Sequence, residues 1–257
     1  MKEFRIKNSK TTVRYHDLPG EGVPIVFIHG IGCASSFDYP QVASMSGLNK
    51  HRRILVDLIG FGFSDKPTDF DYSIDSHASY LEALINFLKL DDFVLYGHSM
   101  GGAVSIALAA RVEKRLRALI LSEANLDAGG GFFTQKIASY SEDDYQAFGH
   151  DEIIQENKNS SNESWAASLS VSSSLATYRT SCSLVEGSSP SWRQLFNTLC
   201  IAKSYIFGAR SLPDPDFDLL SDQQGIDVLL VPEAGHSMAW ENPEGLATAI
   251  GSAISKI

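Results

Sequence analysis

Hydrophobic and polar side chains follow two different patterns along the chain. Residues 4–7 and 12–15 alternate apolar with polar side chains, as in strands with one face in water, and residues 8–10 between them favour a turn. An antiparallel hairpin is therefore predicted at the start. Continuous apolar runs are typical of strands that are covered on both faces. Residues 24–28 form such a run, and mainly apolar stretches predict further strands at residues 53–56, 93–96, 116–121, 204–207 and 226–231.

Stretches with helical spacing separate these runs. Residues 35–48 are compatible with a helix, a second helix begins near Ser73 or Asp75, and Asn242 with Pro243 opens a closing helix. The alternation of strands and helices predicts an α/β fold with a mostly parallel, doubly wound sheet. In such a sheet, functional residues lie at the carboxyl ends of the strands.

One long segment, residues 127–199, differs from the rest of the chain. It is rich in serine, helical in spacing and interrupted by glycines, and it is too long to be a loop in a compact domain. We therefore predict a helical cap inserted into a core that is formed by residues 1–126 and 200–257.

Capping patterns mark helix starts inside this segment. Ser141 with Asp144, and Ser160 with Glu163, have the spacing of capping boxes. The serine-rich residues 168–174 are also compatible with a disordered linker, but apolar side chains at near-helical spacing interrupt them and favour helices.

The composition is that of an ordinary globular protein. Of 257 residues, 44% are hydrophobic and 20% are charged, which argues against disorder. The formal net charge of -10 and a pI of about 5.1 oppose attraction to phosphate backbones or anionic lipids. Nucleic acid and membrane surfaces are therefore not expected as partners.

The cysteines and the first residues bear on the compartment. Cys33, Cys182 and Cys200 are odd in number, widely spaced and outside any metal-binding pattern, so neither a disulfide framework nor a metal site is expected. Residues 1–10 lack the apolar core of a signal peptide, and no run approaches membrane-spanning length. These features fit a reducing cytoplasm.

A serine-centred motif follows the apolar run at residues 93–96. Residues 97–101 read Gly-His-Ser-Met-Gly, and a small-residue helical run follows them. Strand, sharp turn and helix form the context in which Gly-x-Ser-x-Gly presents a nucleophile, here Ser99. The alternative is a glycine-rich connection with a solvated serine.

A serine nucleophile requires a base that takes its proton. His236 is the candidate, because it follows the last apolar run and Gly235 allows a turn over the strand ends. His98 flanks the serine and is expected to point away from it, in packing or in a hydrogen bond. The histidines expected to be surface or hydrogen-bonded residues are His16, His51, His77 and His150.

Backbone N–H groups stabilise the oxyanion of a tetrahedral intermediate. Met100, directly after the nucleophile, is one candidate donor. Ile31 is the other, since it follows the His29-Gly30 pair at the end of an apolar run. The alternative is that both residues serve only in apolar packing.

Together these features resemble the α/β-hydrolase superfamily over essentially the whole chain. The order serine, acid, histidine is the order that this fold uses. The resemblance is carried by the His29-Gly30 turn, the Asp-x-x-Gly-x-Gly-x-Ser loop at residues 57–64, the Gly-His-Ser-Met-Gly-Gly turn at residues 97–102, the helical insertion and the final Gly235-His236 pair. It implies that fold, with a cap.

The acidic residue that would orient His236 departs from the pattern that is usual in the superfamily. Members commonly place an aspartate in a Gly-x-x-Asp stretch after a late strand, but here residues 208–211 read Gly-Ala-Arg-Ser. Resemblance to the haloalkane dehalogenase branch implies Glu123, at the preceding strand end, as the group that accepts the Nδ1 proton of His236. Asp214 and Asp216 are alternatives, although both also suit turn formation.

This set of residues predicts acyl transfer. Ser99 attacks an ester or related carbonyl, and His236 then activates water to release the acid from an acyl-enzyme. The expected partner is a small ester-like molecule, and no cofactor is expected. Carboxylic ester hydrolysis is the leading hypothesis. Carbon–carbon bond, lactone and amide hydrolysis use similar residues, and a non-catalytic receptor is disfavoured because serine and histidine are intact.

The cap is expected to roof the site and select the substrate. An aminopeptidase would need an acidic subsite, for which Glu142, Asp143 and Asp144 are candidates, although they equally suit the first turn of a helix. The cap aromatics that could line an apolar pocket or pack the cap on the core include Phe132, Phe133, Tyr140, Tyr145, Trp165 and Trp192.

Overall fold

The computed structural model describes residues 1–7 and 9–257, and within them eight strands form one sheet. The strands are β1 (Lys2–Arg5), β2 (Thr12–Leu18), β3 (Gly22–Ile28), β4 (His51–Val56), β5 (Phe93–His98), β6 (Leu116–Ser122), β7 (Ala202–Gly208) and β8 (Ile226–Val231). Their order across the sheet is β1-β2-β4-β3-β5-β6-β7-β8. The pairs β1–β2 and β2–β4 are antiparallel and the other pairs are parallel. The predicted α/β class with a mostly parallel sheet is confirmed.

Helices cover both faces of the sheet. Those of the core are α1 (Ser35–Asp38), α2 (Pro40–Ser44), α3 (Ile74–Phe87), α4 (Met100–Val112), α11 (Pro215–Ser221), α12 (Met238–Glu241) and α13 (Pro243–Ser255). Between β6 and β7 lie α5 (Phe132–Ala138), α6 (Glu142–Asp144), α7 (His150–Asn157), α8 (Glu163–Leu169), α9 (Ser174–Glu186) and α10 (Trp192–Thr198). We call residues 127–199 the helical insertion; their role as a cap stays a prediction.

Alternation along β3 explains why its sequence is continuously apolar. Ile25 and Phe27 join the cluster on one face of the sheet, whereas Val26 and Ile28 join the cluster on the other face. All four side chains are fully buried, because successive residues of a strand point to opposite faces. The helical insertion has a smaller cluster of its own, which is formed by Ile137, Tyr145, Ile153 and Leu169.

Some local predictions need correction. The helix predicted over residues 35–48 is two short helices, because Pro40 opens a second helix and has no N–H to continue the first. Ser141 caps a helix as predicted, but Asn162 rather than Ser160 precedes α8. The predicted hairpin is present in β1 and β2, while Asn8 in its turn lies outside the described residues.

No helix in the described ranges is long and apolar enough to cross a lipid bilayer.

Candidate active site

The turn between β5 and α4 presents Ser99. Its φ of 53° and ψ of -123° form a backbone conformation that residues other than glycine rarely adopt. The Ser99 N–H donates to the Ser122 carbonyl oxygen at 3.0 Å, which ties the turn to the end of β6. α4 begins at once and packs closely on β3, since a Cβ at Gly101 would lie 2.5 Å from the Ile28 carbonyl oxygen. The strand, turn and helix expected around the motif are present.

Glu123 and His236 are in direct contact, although β7 separates the strands that carry them. Nδ1 of His236 lies 2.6 Å from Oε2 of Glu123, and Oε1 accepts the Gly208 N–H at 2.9 Å. Burial raises the pKa of Glu123, but the hydrogen bond and the charge of His236, together with Ser211 and the Gly208 N–H, outweigh it and leave this pKa below its usual value. Glu123 is therefore an ionised acceptor at neutral pH.

The end of β7 allows this contact because it is a glycine. A Cβ at Gly208 would lie 2.5 Å from the Ala234 carbonyl oxygen. The same oxygen accepts the Arg210 N–H at 2.8 Å. The loop that carries His236 therefore lies directly on the end of β7 and reaches across it to Glu123.

The alternative acids lie elsewhere in the hydrogen-bond network. Asp214 accepts the N–H of Asp216 at 2.8 Å and caps α11. Asp216 binds the Arg193 guanidinium at 2.8 and 3.0 Å. Of the three predicted acids, only Glu123 is within hydrogen-bond distance of His236 in the described part of the chain.

His98 does not point entirely away from the site. Its ring packs on that of His236 with centroids 4.6 Å apart. Its Nδ1 lies 3.0 Å from the Ser122 hydroxyl, which in turn contacts the Tyr96 hydroxyl at 2.7 Å. Burial, and next the charge of His236, lower the pKa of His98 to about 3. His98 is therefore a neutral neighbour of His236.

The two candidate oxyanion donors are unengaged. Within the described residues, the backbone N–H groups of Ile31 and Met100 donate to no other backbone carbonyl or side chain. His29 braces the turn before Ile31, since its Nδ1–H donates to the Gly30 carbonyl at 2.8 Å and its Nε2 accepts the Leu58 N–H at 3.0 Å. Burial lowers the pKa of His29, in keeping with this neutral form.

A cavity of about 190 Å³ has Ser99 and His236 on its wall. The helical insertion contributes Phe133 and Trp165 to the wall of the same cavity. The two rings stack with centroids 4.1 Å apart. The Trp165 indole N–H donates to the Ile31 carbonyl oxygen at 2.8 Å. A side chain of α8 is thus hydrogen-bonded to the turn that carries a candidate oxyanion donor.

Other predicted residues of the insertion lie away from this cavity. Among the described residues, the acidic residues 142–144 do not line the cavity. Four of the predicted aromatic residues do not line it either, namely Phe132, Tyr140, Tyr145 and Trp192. Tyr145 and Trp192 are buried in packing, whereas Phe132 is 77% exposed. Glu142 binds the Arg179 guanidinium with two hydrogen bonds of 2.9 Å.

One wall of the cavity was not anticipated from the sequence. Asp38 and Tyr39 lie at the end of α1, and Trp240 of α12 donates its indole N–H to Oδ1 of Asp38 at 3.0 Å. Burial raises the pKa of Asp38 to about 6, although hydrogen bonds from Trp240 and Cys33 oppose this. Aspartate is usually exposed, so the sequence of the helix predicted over residues 35–48 gave no sign of a buried carboxyl group.

A profile of the α/β-hydrolase fold matches residues 23–243. The chain therefore belongs to the α/β-hydrolase family, and the resemblance predicted from its motifs is confirmed.

Individual proteins are similar to the chain over different extents. A 2-hydroxy-6-oxo-2,4-heptadienoate hydrolase of Pseudomonas putida is 37% identical over 110 residues, which are 42% of this chain and 40% of that protein. The match thus spans less than half of that relative. A thermophilic esterase from Thermogutta terrifontis covers 100% of this chain and 99% of its own, with 22% identity and a TM-score of 0.80. The match to an N-acyl homoserine lactonase covers 100% of this chain and 97% of that protein, with 20% identity and a TM-score of 0.77. The last two comparisons show a shared fold.

Proposed function

We propose that this chain is a serine hydrolase that cleaves a small carboxylic ester or a related acyl compound through an acyl-enzyme. Ser99 is the proposed nucleophile, His236 the base and Glu123 the acid. The observation that carries the proposal is the 2.6 Å contact between Glu123 Oε2 and His236 Nδ1. A histidine base needs such a partner, which holds its tautomer and stabilises the imidazolium that forms.

The first half-reaction forms the acyl-enzyme. Because Glu123 accepts the Nδ1 proton, Nε2 of His236 is free to take the proton of the Ser99 hydroxyl as Ser99 attacks the carbonyl carbon. The N–H groups of Ile31 and Met100 then stabilise the oxyanion, each by about 3 kcal/mol. The C–O bond to the leaving group breaks, and His236 returns its proton to the departing alcohol.

The second half-reaction releases the acid. His236 takes a proton from water, which attacks the acyl carbon, and collapse of the second intermediate returns the proton to Ser99. We propose that the helical insertion acts as a cap on the core of residues 1–126 and 200–257 and excludes bulk water. The hydrogen bond from Trp165 to Ile31 supports this role.

Turnover of short p-nitrophenyl esters tests the proposal. Hydrolysis by the wild type that is lost in Ser99→Ala is the expected result, and absence of turnover would end the enzyme hypothesis. A panel of esters graded by acyl length, with lactones and aminoacyl amides included, then identifies the bond type that is cleaved.

Carbon–carbon bond hydrolysis is the second candidate, because the Pseudomonas putida relative is named for a heptadienoate substrate. A dienoate is an anion. Among the described residues that line the cavity none is lysine or arginine, whereas Asp38 and Glu241 are acidic. This charge favours the ester. Faster turnover of a 2-hydroxy-6-oxo-dienoate than of every ester in the panel would favour the second candidate instead.

A further inference from the structure

We infer that Nε2 of His98 holds the water molecule that attacks the acyl-enzyme, by accepting a hydrogen bond from it. The inference rests on the proposed function, because it assigns a role in the second half-reaction, in which the acid is released. It makes His98 a further catalytic residue, whose effect is confined to attack by water.

The hydrogen bonds of His98 determine which of its ring nitrogens is an acceptor. Nδ1 lies 3.1 Å from the carbonyl oxygen of Ser122 and 3.0 Å from the hydroxyl oxygen of the same residue. A carbonyl oxygen accepts and never donates, so the first contact is a hydrogen bond only if Nδ1 carries the ring proton. Burial lowers the pKa of His98 to about 3, so the ring stays neutral at neutral pH. Nε2 therefore has a free lone pair.

Nε2 of His98 is accessible to small molecules in the cavity. Within the described residues it has no hydrogen-bond partner, yet it retains accessible surface, unlike enclosed unpaired atoms such as Nδ1 of His77. The His98 ring is on the wall of the cavity that also contains Ser99 and His236. Cδ2, which is bonded to Nε2, lies 3.4 Å from the position that a Cβ would take at Gly30. The ring edge opposite Nδ1 therefore faces Gly30, which also lines the cavity.

His98 and His236 are close enough for one water molecule to bind both. The centroids of the two rings are 4.6 Å apart. A water molecule forms hydrogen bonds of about 2.8 Å and donates two of them in different directions, so it can bridge two acceptors. The spacing of the rings is within the reach of two such bonds. A water molecule held in this way has a lone pair left for the acyl carbon.

The attacking water uses its two protons differently. One passes to Nε2 of His236 as the water oxygen forms a bond to the acyl carbon. The other stays on that oxygen, donates to Nε2 of His98 and becomes the proton of the carboxylic acid. The bond between the acyl carbon and Oγ of Ser99 then breaks, and His236 returns its proton to Oγ. His98 is neutral before and after the step.

An alcohol that attacks the same acyl-enzyme has only one hydroxyl proton. That proton passes to His236, so none is left to donate to His98. Water and alcohol otherwise share the acyl-enzyme, the base and the oxyanion donors. The ratio of hydrolysis to alcoholysis therefore depends on His98, whereas a change that slows both reactions equally leaves the ratio unaltered.

The test measures this ratio with methanol and the short p-nitrophenyl ester that wild type hydrolyses fastest. Initial rates of formation of the acid and of its methyl ester are determined for wild type and His98→Phe. His98→Phe keeps a ring against His236 and removes the acceptor, so the ratio of acid to methyl ester is expected to fall about fivefold, as for the loss of one hydrogen bond. An unchanged ratio would overturn the inference. Folding is checked by thermal unfolding, and His98→Leu repeats the test if the phenylalanine variant is unstable.

His150→Phe is the matched control. This imidazole is also buried and hydrogen-bonded to a hydroxyl, that of Tyr145 at 3.0 Å, but it is outside the cavity wall. Its ratio of acid to methyl ester is expected to equal that of wild type. A fall of the same size in His150→Phe would contradict the inference, because the ratio would then respond to loss of an interior imidazole anywhere in the protein.

Formation of the acyl-enzyme separates this inference from the proposed function. Stopped-flow release of p-nitrophenol and mass spectrometry are expected to detect an acyl group on Ser99 in wild type and in His98→Phe. An acyl-enzyme with an unchanged ratio would overturn the role of His98 and leave the serine hydrolase standing. If wild type forms neither an acyl-enzyme nor a product, the proposed function fails and the inference fails with it.

Discussion

Ser99 occupies a backbone conformation that costs free energy. A positive φ of 53° is unfavourable for serine and easy for glycine. Ser99→Gly is therefore expected to be more stable than Ser99→Ala by about 1 kcal/mol, since relief of strain exceeds the entropy that glycine gains in the unfolded chain. Calorimetric melting of the two variants measures this, and an equal or lower Tm for Ser99→Gly would show that the turn is not strained.

Glu123 is expected to matter for rate more than any other carboxylate at the strand ends. Glu123→Gln replaces the acceptor of the His236 Nδ1 proton, which disturbs the tautomer and removes the charge that stabilises the imidazolium. We expect kcat for p-nitrophenyl esters to fall by about 10²–10⁴-fold.

Asp216→Asn is the control for that variant. It removes a carboxylate that binds Arg193 rather than His236, so it is expected to affect stability and to leave the rate near that of wild type. A full rate in Glu123→Gln, or a large loss of rate in Asp216→Asn, would show that the acid has been assigned wrongly.

Asp38 gives a pH-dependent contribution to stability. Its pKa is about 6 in the folded protein, whereas the ordinary value for an aspartate is 3.8, so between these pH values the folded state binds more protons than the unfolded state. Stability from this group therefore falls as pH rises through that window. Asp38→Asn removes the cost, which is on the order of 3 kcal/mol above pH 6.

Thermal unfolding at pH 4 and pH 7.5 measures that effect. The gain in Tm of Asp38→Asn over wild type is expected to be small at the lower pH and largest at the higher one. An equal gain at both values would rule out a buried ionised carboxylate as its source.

At the residue scale, the sequence predicted a site residue only where the proposed chemistry requires one particular residue type. Ser99 and His236 could be predicted to follow strand ends, because Gly-x-Ser-x-Gly and the final Gly-His pair mark such positions, and both do follow strands. The places of Asp38 and Tyr39 in the cavity wall could not be predicted, since their burial depends on α12 and β5 packing against α1. These contacts are distant in sequence, and no local pattern encodes them.

At the scale of the elements, α8 of the insertion is hydrogen-bonded to the residue of a candidate oxyanion donor, Ile31. Trp165→Phe removes the 2.8 Å hydrogen bond to the Ile31 carbonyl while it keeps most of the aromatic packing. We expect kcat/KM to fall about tenfold, because small displacements of such donors are costly. Steady-state kinetics on a p-nitrophenyl ester measure the loss.

Tyr178→Phe is the matched control for α8. It also removes one bond from a side chain to a carbonyl, that of Tyr140 at 3.1 Å, but this bond lies within the insertion. Its kcat/KM is expected to stay near the wild-type value. Equal losses in both variants would mean that Trp165 acts through the stability of the insertion alone.

Strands were easier to predict than short helices. The run at residues 93–96 became the first four residues of β5, because burial on both faces leaves a continuous apolar signal. The stretch at residues 35–48 became two helices, since Pro40 ends the first and the packing of Tyr39 between them is tertiary. The ends of these helices therefore depend on tertiary contacts, which the spacing of apolar residues along the sequence does not predict.

At the scale of the whole molecule, alternation of strands and helices was enough to predict the α/β class. The family followed from several motifs together, and the profile match over residues 23–243 confirms it. The extent of the helical insertion came from its length and composition. The shape and charge of the cavity could not be predicted from the sequence, because both depend on α1, α8 and α12, which meet only in the folded protein.

Labelling with a serine-directed fluorophosphonate tests the central claim most directly. Intact-protein and peptide mass spectrometry are expected to find one adduct, on Ser99, that is absent from Ser99→Ala and forms much more slowly in His236→Ala. Correct folding of both variants is checked by thermal unfolding. An unlabelled wild type, or an adduct on another residue, would contradict the assignment of Ser99 as an activated nucleophile.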